Sequence, residues 1–197
     1  TSATAPAAIS ARIQRDIRVS RARVLRLMRE NALLSPHRRP QGAPNRHDGT
    51  ITTDRPNDMW GTDGIRIETA DEGWVWVFSA VDHFDACCVG IHAVKTGNRF
   101  AALQPIAQGL QTEFSATGAD AGRGLTLRMD HGTQYTADDF LNQIRFWGIA
   151  PSFAFVAEPQ TNGVAERFNR TLKEQVIHGR IFRNLEEVRK AVTEFKD

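Results

Sequence analysis

The 197-residue chain lacks any apolar run approaching the ~18–20 residues that a membrane-spanning helix needs, so no membrane partner is expected. The start of the sequence does not read as a secretion signal either. Thr1 to Ser10 is rich in Ala, Thr and Ser, without a basic head or a long apolar stretch. Cysteine is scarce: Cys87 and Cys88 are the only two, they are adjacent, and no CxxC or Cys/His ligand spacing occurs. Buried free thiols in a reducing cytoplasm are expected from that pattern. No internal repeat is visible. Lysine is absent from the first fifty residues, but arginine is not. Ten arginines there face only Asp16, Glu30 and Asp48, a balance of +7; the remainder carries fifteen basic and twenty acidic residues, a balance of −5. A basic arm on an acidic body suggests a polyanionic partner for the arm, although a solvated basic helix would look the same.

The chain divides by composition into residues 1–34, 35–56 and 57–197. In the first part, residues 9–34 read as two short helices. Ser20 is a plausible N-cap for the second, in which Val24, Leu27 and Met28 form a narrow apolar face and Arg21, Arg23, Arg26 and Arg29 fill the rest. An upstream helix near Ile9–Asp16 would complete a partial helix-turn-helix. The middle part, with Pro36, Pro40, Pro44 and Pro56 among basic residues, is a linker. The third part reads as a mixed α/β body of order β-β-β-α-β-α-β-α. Its strands cover Met59 to Glu68, Trp74 to Phe78, Cys87 to Val94, Leu125 to Met129 and Ser152 to Val156. Its helices follow Asn98, start at a Thr136 cap, run from Pro159 to about Ile177, and run from Leu185 to Phe195. Trp74, Trp76 and Trp147 are expected in the core.

Three acids stand out. Asp63 shares strand parity with Ile65 and Ile67, so its carboxylate leaves a half-covered face, where an unpaired ion is costly. Asp130 sits where a strand gives way to a Gly132-containing loop, the edge of an α/β sheet where ligands collect. Glu166 follows after 35 intervening residues, near a helix start. There Asn162, Glu166, Asn169, Arg170 and Lys173 form a polar stripe, and Val164, Phe168, Leu172 and Val176 face the core. Two such carboxylates ~4 Å apart at an effective dielectric near 20 repel by roughly 4 kcal/mol. Divalent cations would remove that penalty, and oxygen-only ligands suit Mg²⁺ or Mn²⁺. Two such ions can activate an attacking oxygen and stabilise a leaving one. His131, in a variable slot beside Asp130, reads as a surface residue.

The segments Trp60–Asp63 (Trp-x-Thr-Asp), Asp130–Tyr135 (Asp-x-Gly-x-Gln-Tyr) and Asn162–Lys173 (Asn-x-x-x-Glu-Arg-Phe-x-x-x-Leu-Lys) resemble the catalytic core of insertion-sequence transposases of the orfB type. These belong to the DDE, retroviral-integrase superfamily. Arg18 to Arg39 resembles the helix-turn-helix that precedes such cores. The resemblance implies an RNase H-like mixed sheet flanked by helices and two bound Mg²⁺ ions, with Mn²⁺ able to substitute. It also implies cleavage and strand transfer at transposon ends without a covalent protein–DNA intermediate. Asp63, Asp130 and Glu166 would be catalytic metal ligands. Gln134, Asn162, Arg170 and Lys173 would contact DNA or order the site, and Arg167 would join them as a phosphate contact on the same helix. The partners implied are double-stranded DNA and further copies of the chain, with no small-molecule substrate, in a bacterial cytoplasm at the nucleoid. The N-terminal module reads as incomplete, and the chain stops at Asp197 before the C-terminal segment of such proteins. The alternative is therefore a truncated, catalytically silent DNA-binding remnant.

Overall fold

The structure is a computed structural model that describes residues 21–31, 53–154 and 163–196. The chain divides into two compact units, residues 1–48 and residues 49–197. In the first, helix α1 spans Arg21–Glu30. Arg23, Arg26 and Arg29 are exposed on it, and Arg26 pairs with Glu30 one turn on at 3.6 Å. Leu27, expected on an apolar face, is 45% exposed. The upstream helix expected near Ile9–Asp16 lies outside the described residues.

In the second unit five strands form one sheet: β1 (Met59–Thr69), β2 (Gly73–Asp82), β3 (Cys88–Val94), β4 (Thr126–Met129) and β5 (Ala150–Phe153). Their order is β3-β2-β1-β4-β5, with β1 central. The pairs β1–β2 and β2–β3 are antiparallel, and β1–β4 and β4–β5 are parallel. Parallel pairing needs a crossover, and helix α2 (Arg99–Phe114) lies in the one joining β3 to β4. Asn98 caps α2, its Oδ1 accepting from the amides of Phe100 and Ala101. Two short helices, α3 (Thr133–Thr136) and α4 (Asp138–Phe146), join β4 to β5. Thr136, expected to cap α4, does not. Its hydroxyl donates to the Gly132 carbonyl, and Ala137 is the cap position without a side-chain bond. Helix α5 (Gly163–Leu172) runs into a π-helical turn (Lys173–Ile177), and α6 (Leu185–Lys196) ends the chain.

Alternation along the strands sorts side chains to two faces. Trp60, Phe78, Ala80, Leu127 and Met129 pack against α2, α3 and α4 through Ile106, Leu110, Tyr135, Phe140 and Ile144. Ile65, Ile67, Val75, Val77 and Ile91 pack against α5 and α6 through Leu172, Val176, Val188 and Val192. The edge strand β3 is covered by side chains. Its Ile91 amide donates to Gln108 of α2, and its Ala93 carbonyl accepts from Arg189 of α6, which removes an edge that would otherwise template pairing. Among the described residues no helix is long and apolar enough to cross a membrane.

Two expectations fail at the surface. Trp74 is 53% exposed, because it lies at the β1–β2 hairpin tip, where the Arg66 guanidinium sits 5.5 Å from its ring and 5.6 Å from the ring of Trp76. Trp147 is buried as expected and Trp76 partly so. Cys87 is exposed and Cys88 half-buried, in the turn that starts β3, and burial pushes the Cys88 thiol up to about 12.

Helix α2 crosses β3 at Gly90, where a Cβ would come within 1.9 Å of the Pro105 carbonyl oxygen. That obstacle is backbone, which cannot swing aside. Gly90→Ala is expected to cost about 2 kcal/mol of stability by overpacking, read as a lower urea midpoint. An unchanged midpoint would mean that α2 is not held this close to the sheet.

Candidate active site

The parallel pairing of β1 with β4 aligns Trp60 with Leu127 and Gly61 with Arg128. Two more residues along each strand bring Asp63 and Asp130 to the same level, on the face that α5 covers. Behind burial, the largest cause, the Asp130 charge adds a smaller upward push on the Asp63 carboxyl.

Asp63 is half-buried at the centre of the sheet, opposite Ser79 of β2. Burial is the largest influence on it and pushes its carboxyl above the ordinary aspartate range. The Gly64 amide donates to Oδ1 at 2.7 Å and the Asn169 amide to Oδ2 at 2.8 Å, and both pull it back. Lys173 pulls in the same direction by charge alone. Asp130 is exposed, just past the end of β4, and its Oδ1 accepts from the Gly132 amide at 2.8 Å. That bond closes the loop into an Asx turn. Glu166 is exposed in the first turn of α5. Among the described residues no three His, Cys, Asp or Glu side chains are grouped closely enough to hold a metal ion. The structure therefore brings Asp63 and Asp130 together and puts Glu166 one helical turn before the Asn169 that touches Asp63.

The remaining candidates separate by environment. Arg167, Arg170 and Lys173 are exposed on α5 and its π-helical turn. Gln134 is half-buried and turned into the Asp130 loop. Its Nε2 would lie 2.7 Å from a Cβ at Gly132. Asn162 and the Arg21 side chain lie outside the described residues. His131 is exposed, but its ring stacks on Phe153 at 5.2 Å and its Nε2 meets the Ala154 carbonyl at 2.9 Å, so it fixes the end of β5 to the Asp130 loop.

Sequence reasoning missed three residues. Asn169, read as part of the polar stripe of α5, is buried beneath it. The buried positions Ala165, Asn169, Leu172 and Val176 recur at intervals of four, three and four, which is the helical core period. One polar residue on that stripe was the available signal. Leu172 and Val176 are buried as expected, whereas Val164 and Phe168 are half-buried, Phe168 against the edge of the core. Tyr135 is fully buried, and burial, with Asp63 and Asp130 adding to it, raises its pKa. Arg128, two residues before Asp130 on the same face, is buried and donates to the Ser152 hydroxyl at 2.7 Å.

An integrase core domain model matches residues 53–159, and a second one, with the same description, matches residues 147–197. The chain belongs to the integrase core family, on its insertion-sequence transposase branch. It is 30% identical over 167 residues to the putative transposase InsD for insertion element IS2E of Escherichia coli K12, which covers 81% of this chain and 73% of that protein. Identity is the same to the Escherichia coli transposase InsD for insertion element IS2A/D/F/H/I/K, of which the chain spans about half, 53%. Among solved structures it is similar to a chain of the simian T-cell lymphotropic virus intasome in complex with a PP2A regulatory subunit. That match has a TM-score of 0.53 and 19% identity, over 72% of this chain and 45% of that one. It is also similar to the HTLV-2 integrase catalytic core domain in complex with magnesium (trimeric form), with a TM-score of 0.50 and 17% identity, over 70% of this chain and 83% of that one. The integrase core fold is thus RNase H-like: a five-stranded mixed sheet between two helical layers.

Burial of Asp63 in this integrase core has a consequence for stability. A raised carboxyl pKa means that the folded state holds the proton more tightly than the unfolded state does. Stability from this group is therefore fully present at low pH and falls as pH rises through the aspartate range and the raised value. Asp63→Asn removes the ionisation. At pH 7 without divalent cations the variant should melt a few degrees above the natural chain, with the gap closing on acidification. A variant that melts lower at pH 7 would contradict the burial penalty.

Proposed function

We propose that this chain is the catalytic core of a DNA transposase that cleaves transposon ends and joins them to target DNA with the help of divalent cations. The observation that carries the reading is the β1–β4 register, which sets the half-buried carboxylate of Asp63 beside that of Asp130. Two like charges side by side on one face of a sheet are unfavourable, and a shared cation offsets that cost.

The donor chemistry would suit Mg²⁺ or Mn²⁺, since Asp63, Asp130 and Glu166 offer only oxygens. Asp63 and Asp130 would hold the cations from the sheet, and Glu166 would complete the set from the first turn of α5. When bound, the cations supply a polarised attacking oxygen and charge stabilisation on the leaving one. Everything else is done by the chain. Both proposed steps are in-line displacements at phosphorus: water attacks the phosphodiester at the transposon end, breaking the P–O3′ bond to free a 3′-hydroxyl and leave a 5′-phosphate on the flank, and that hydroxyl attacks a target phosphodiester, forming a new P–O3′ bond as the target strand's own 3′-oxygen leaves as a hydroxyl. Arg167, Arg170 and Lys173 are exposed on the helix that carries Glu166, which suits contacts to the phosphates flanking the reacting one. The arginines of α1, with Asn162 beside Glu166 in sequence, would add sequence-independent hold on double-stranded DNA. Two DNA ends must be reacted together, so a homo-oligomer on DNA is part of the proposal.

A second reading is a silent DNA-binding protein, and the exposed Glu166, outside any three-residue ligand group among the described residues, is what favours it. A nicking assay on end-containing duplex with Mg²⁺ or Mn²⁺ separates the two. The natural chain should nick. Asp130→Asn and Glu166→Gln should each lose at least about a hundredfold in rate, in line with loss of a catalytic group, with duplex affinity nearly unchanged. Nicking retained in either variant would remove that residue from the machinery, and a natural chain that binds but never nicks would favour the silent reading.

A further inference from the structure

The buried amide of Asn169 ties α5 to the sheet at Asp63. It is 4% exposed and sits on the apolar stripe between Ala165 and Leu172. A leucine there would bury more apolar surface, but it would leave Asp63 and Ser79 without the bonds the amide makes to them. Its Nδ2 donates to Asp63 Oδ2 at 2.8 Å, and its Oδ1 accepts from the Ser79 hydroxyl at 3.4 Å. Ser79 is itself 1% exposed and is the cross-strand partner of Asp63. The orientation of the amide follows from chemistry. An ionised carboxylate only accepts, so the NH₂ must face Asp63, and the carbonyl then faces a hydroxyl that can donate.

We infer that Ser79, Asn169 and Asp63 form a positioning relay for the metal-binding site, resting on the reading of Asp63 as a ligand. Ser79 fixes the face of the amide. The amide fixes the rotation of the Asp63 carboxylate. The same amide fixes how α5 docks on the sheet, and so the level from which Glu166 starts, one turn before it. Asn169 and Ser79 touch neither cation nor DNA; they act through Asp63. Outer partners of this kind orient ligands, and their loss typically weakens metal binding about 10–100-fold.

The test is Mn²⁺ binding by the whole 197-residue chain, with no DNA present, alongside the melting temperature. Asn169→Leu keeps the branch at Cγ and the number of side-chain heavy atoms, and removes both bonds. It should stay folded, bind Mn²⁺ at least about tenfold more weakly, and lower kcat for nicking without changing duplex affinity. Ser79→Ala should weaken Mn²⁺ about two- to threefold, since its bond is long and neutral. A residue that served packing alone would move the melting temperature and leave Mn²⁺ affinity where it was. Natural affinity in a folded Asn169→Leu overturns the relay. If that variant does not fold, natural affinity in Ser79→Ala overturns it. Asp63→Asn is the control. If it too binds Mn²⁺ like the natural chain, the reading of Asp63 as a ligand fails and the relay falls with it. If it loses Mn²⁺ while Asn169→Leu keeps it, only the relay is wrong.

Discussion

A carboxylate half-buried at the centre of a sheet is the feature on which the rest of this protein depends. Water would solvate Asp63 better than the sheet does, and burial raises its pKa accordingly. The fold keeps it there by two hydrogen bonds, one from its own neighbour Gly64 and one from Asn169, 106 residues away. It then adds a second acid through the parallel alignment of β4 with β1. Structural economy would remove such a group. An environment that holds it, orients it and sets another carboxylate beside it makes sense when a cation or a reacting group is to be bound there, which is why perturbed carboxylates mark functional sites.

The architecture serves that arrangement. β1 lies between β2 and β4, so its middle residues have neighbours on both sides and little freedom. α2 is held against β3 at Gly90, and the Trp60 indole donates to Asn57 at the entry to β1. Asp82, almost wholly buried, accepts from the amides of Asn57 and Phe84, which locks the end of β2 to the segment that leads into β1. A rigid sheet of this kind can hold side chains more closely than loops can. Glu166, by contrast, stands on the exposed first turn of a helix, where a side chain has room to move.

Much of this was legible in the chain itself. The period-two run around Asp63, Ile65 and Ile67 gave the strand and its buried face, and the two isoleucines do lie in the core with α5 and α6. The break after Met129 set Asp130 at a strand end. The family motifs in Trp60–Asp63, Asp130–Tyr135 and Asn162–Lys173 gave the fold, because few other folds space those residues that way. What stayed hidden depends on three-dimensional pairing. The rotation of α5 is set by packing against a sheet whose strand order is not written locally, so Asn169 was assigned to the wrong face and its bond to Asp63 could not be foreseen. Trp74 looked like core because it is large and apolar, but its position at a hairpin tip leaves it stacked on Arg66 in the open. The cysteines looked buried by residue type alone, and a turn exposes Cys87.

The account stands on one claim, that Asp63, Asp130 and Glu166 share bound cations. Diffraction from crystals soaked in Mn²⁺, collected at the manganese absorption edge, would test it most directly. The account predicts anomalous peaks within about 2.3 Å of oxygens of all three residues, as expected for hard cations on carboxylates, and about 3.5–4 Å apart if two ions bind. Manganese bound elsewhere at saturating concentration, with none between Asp63 and Asp130, would contradict it.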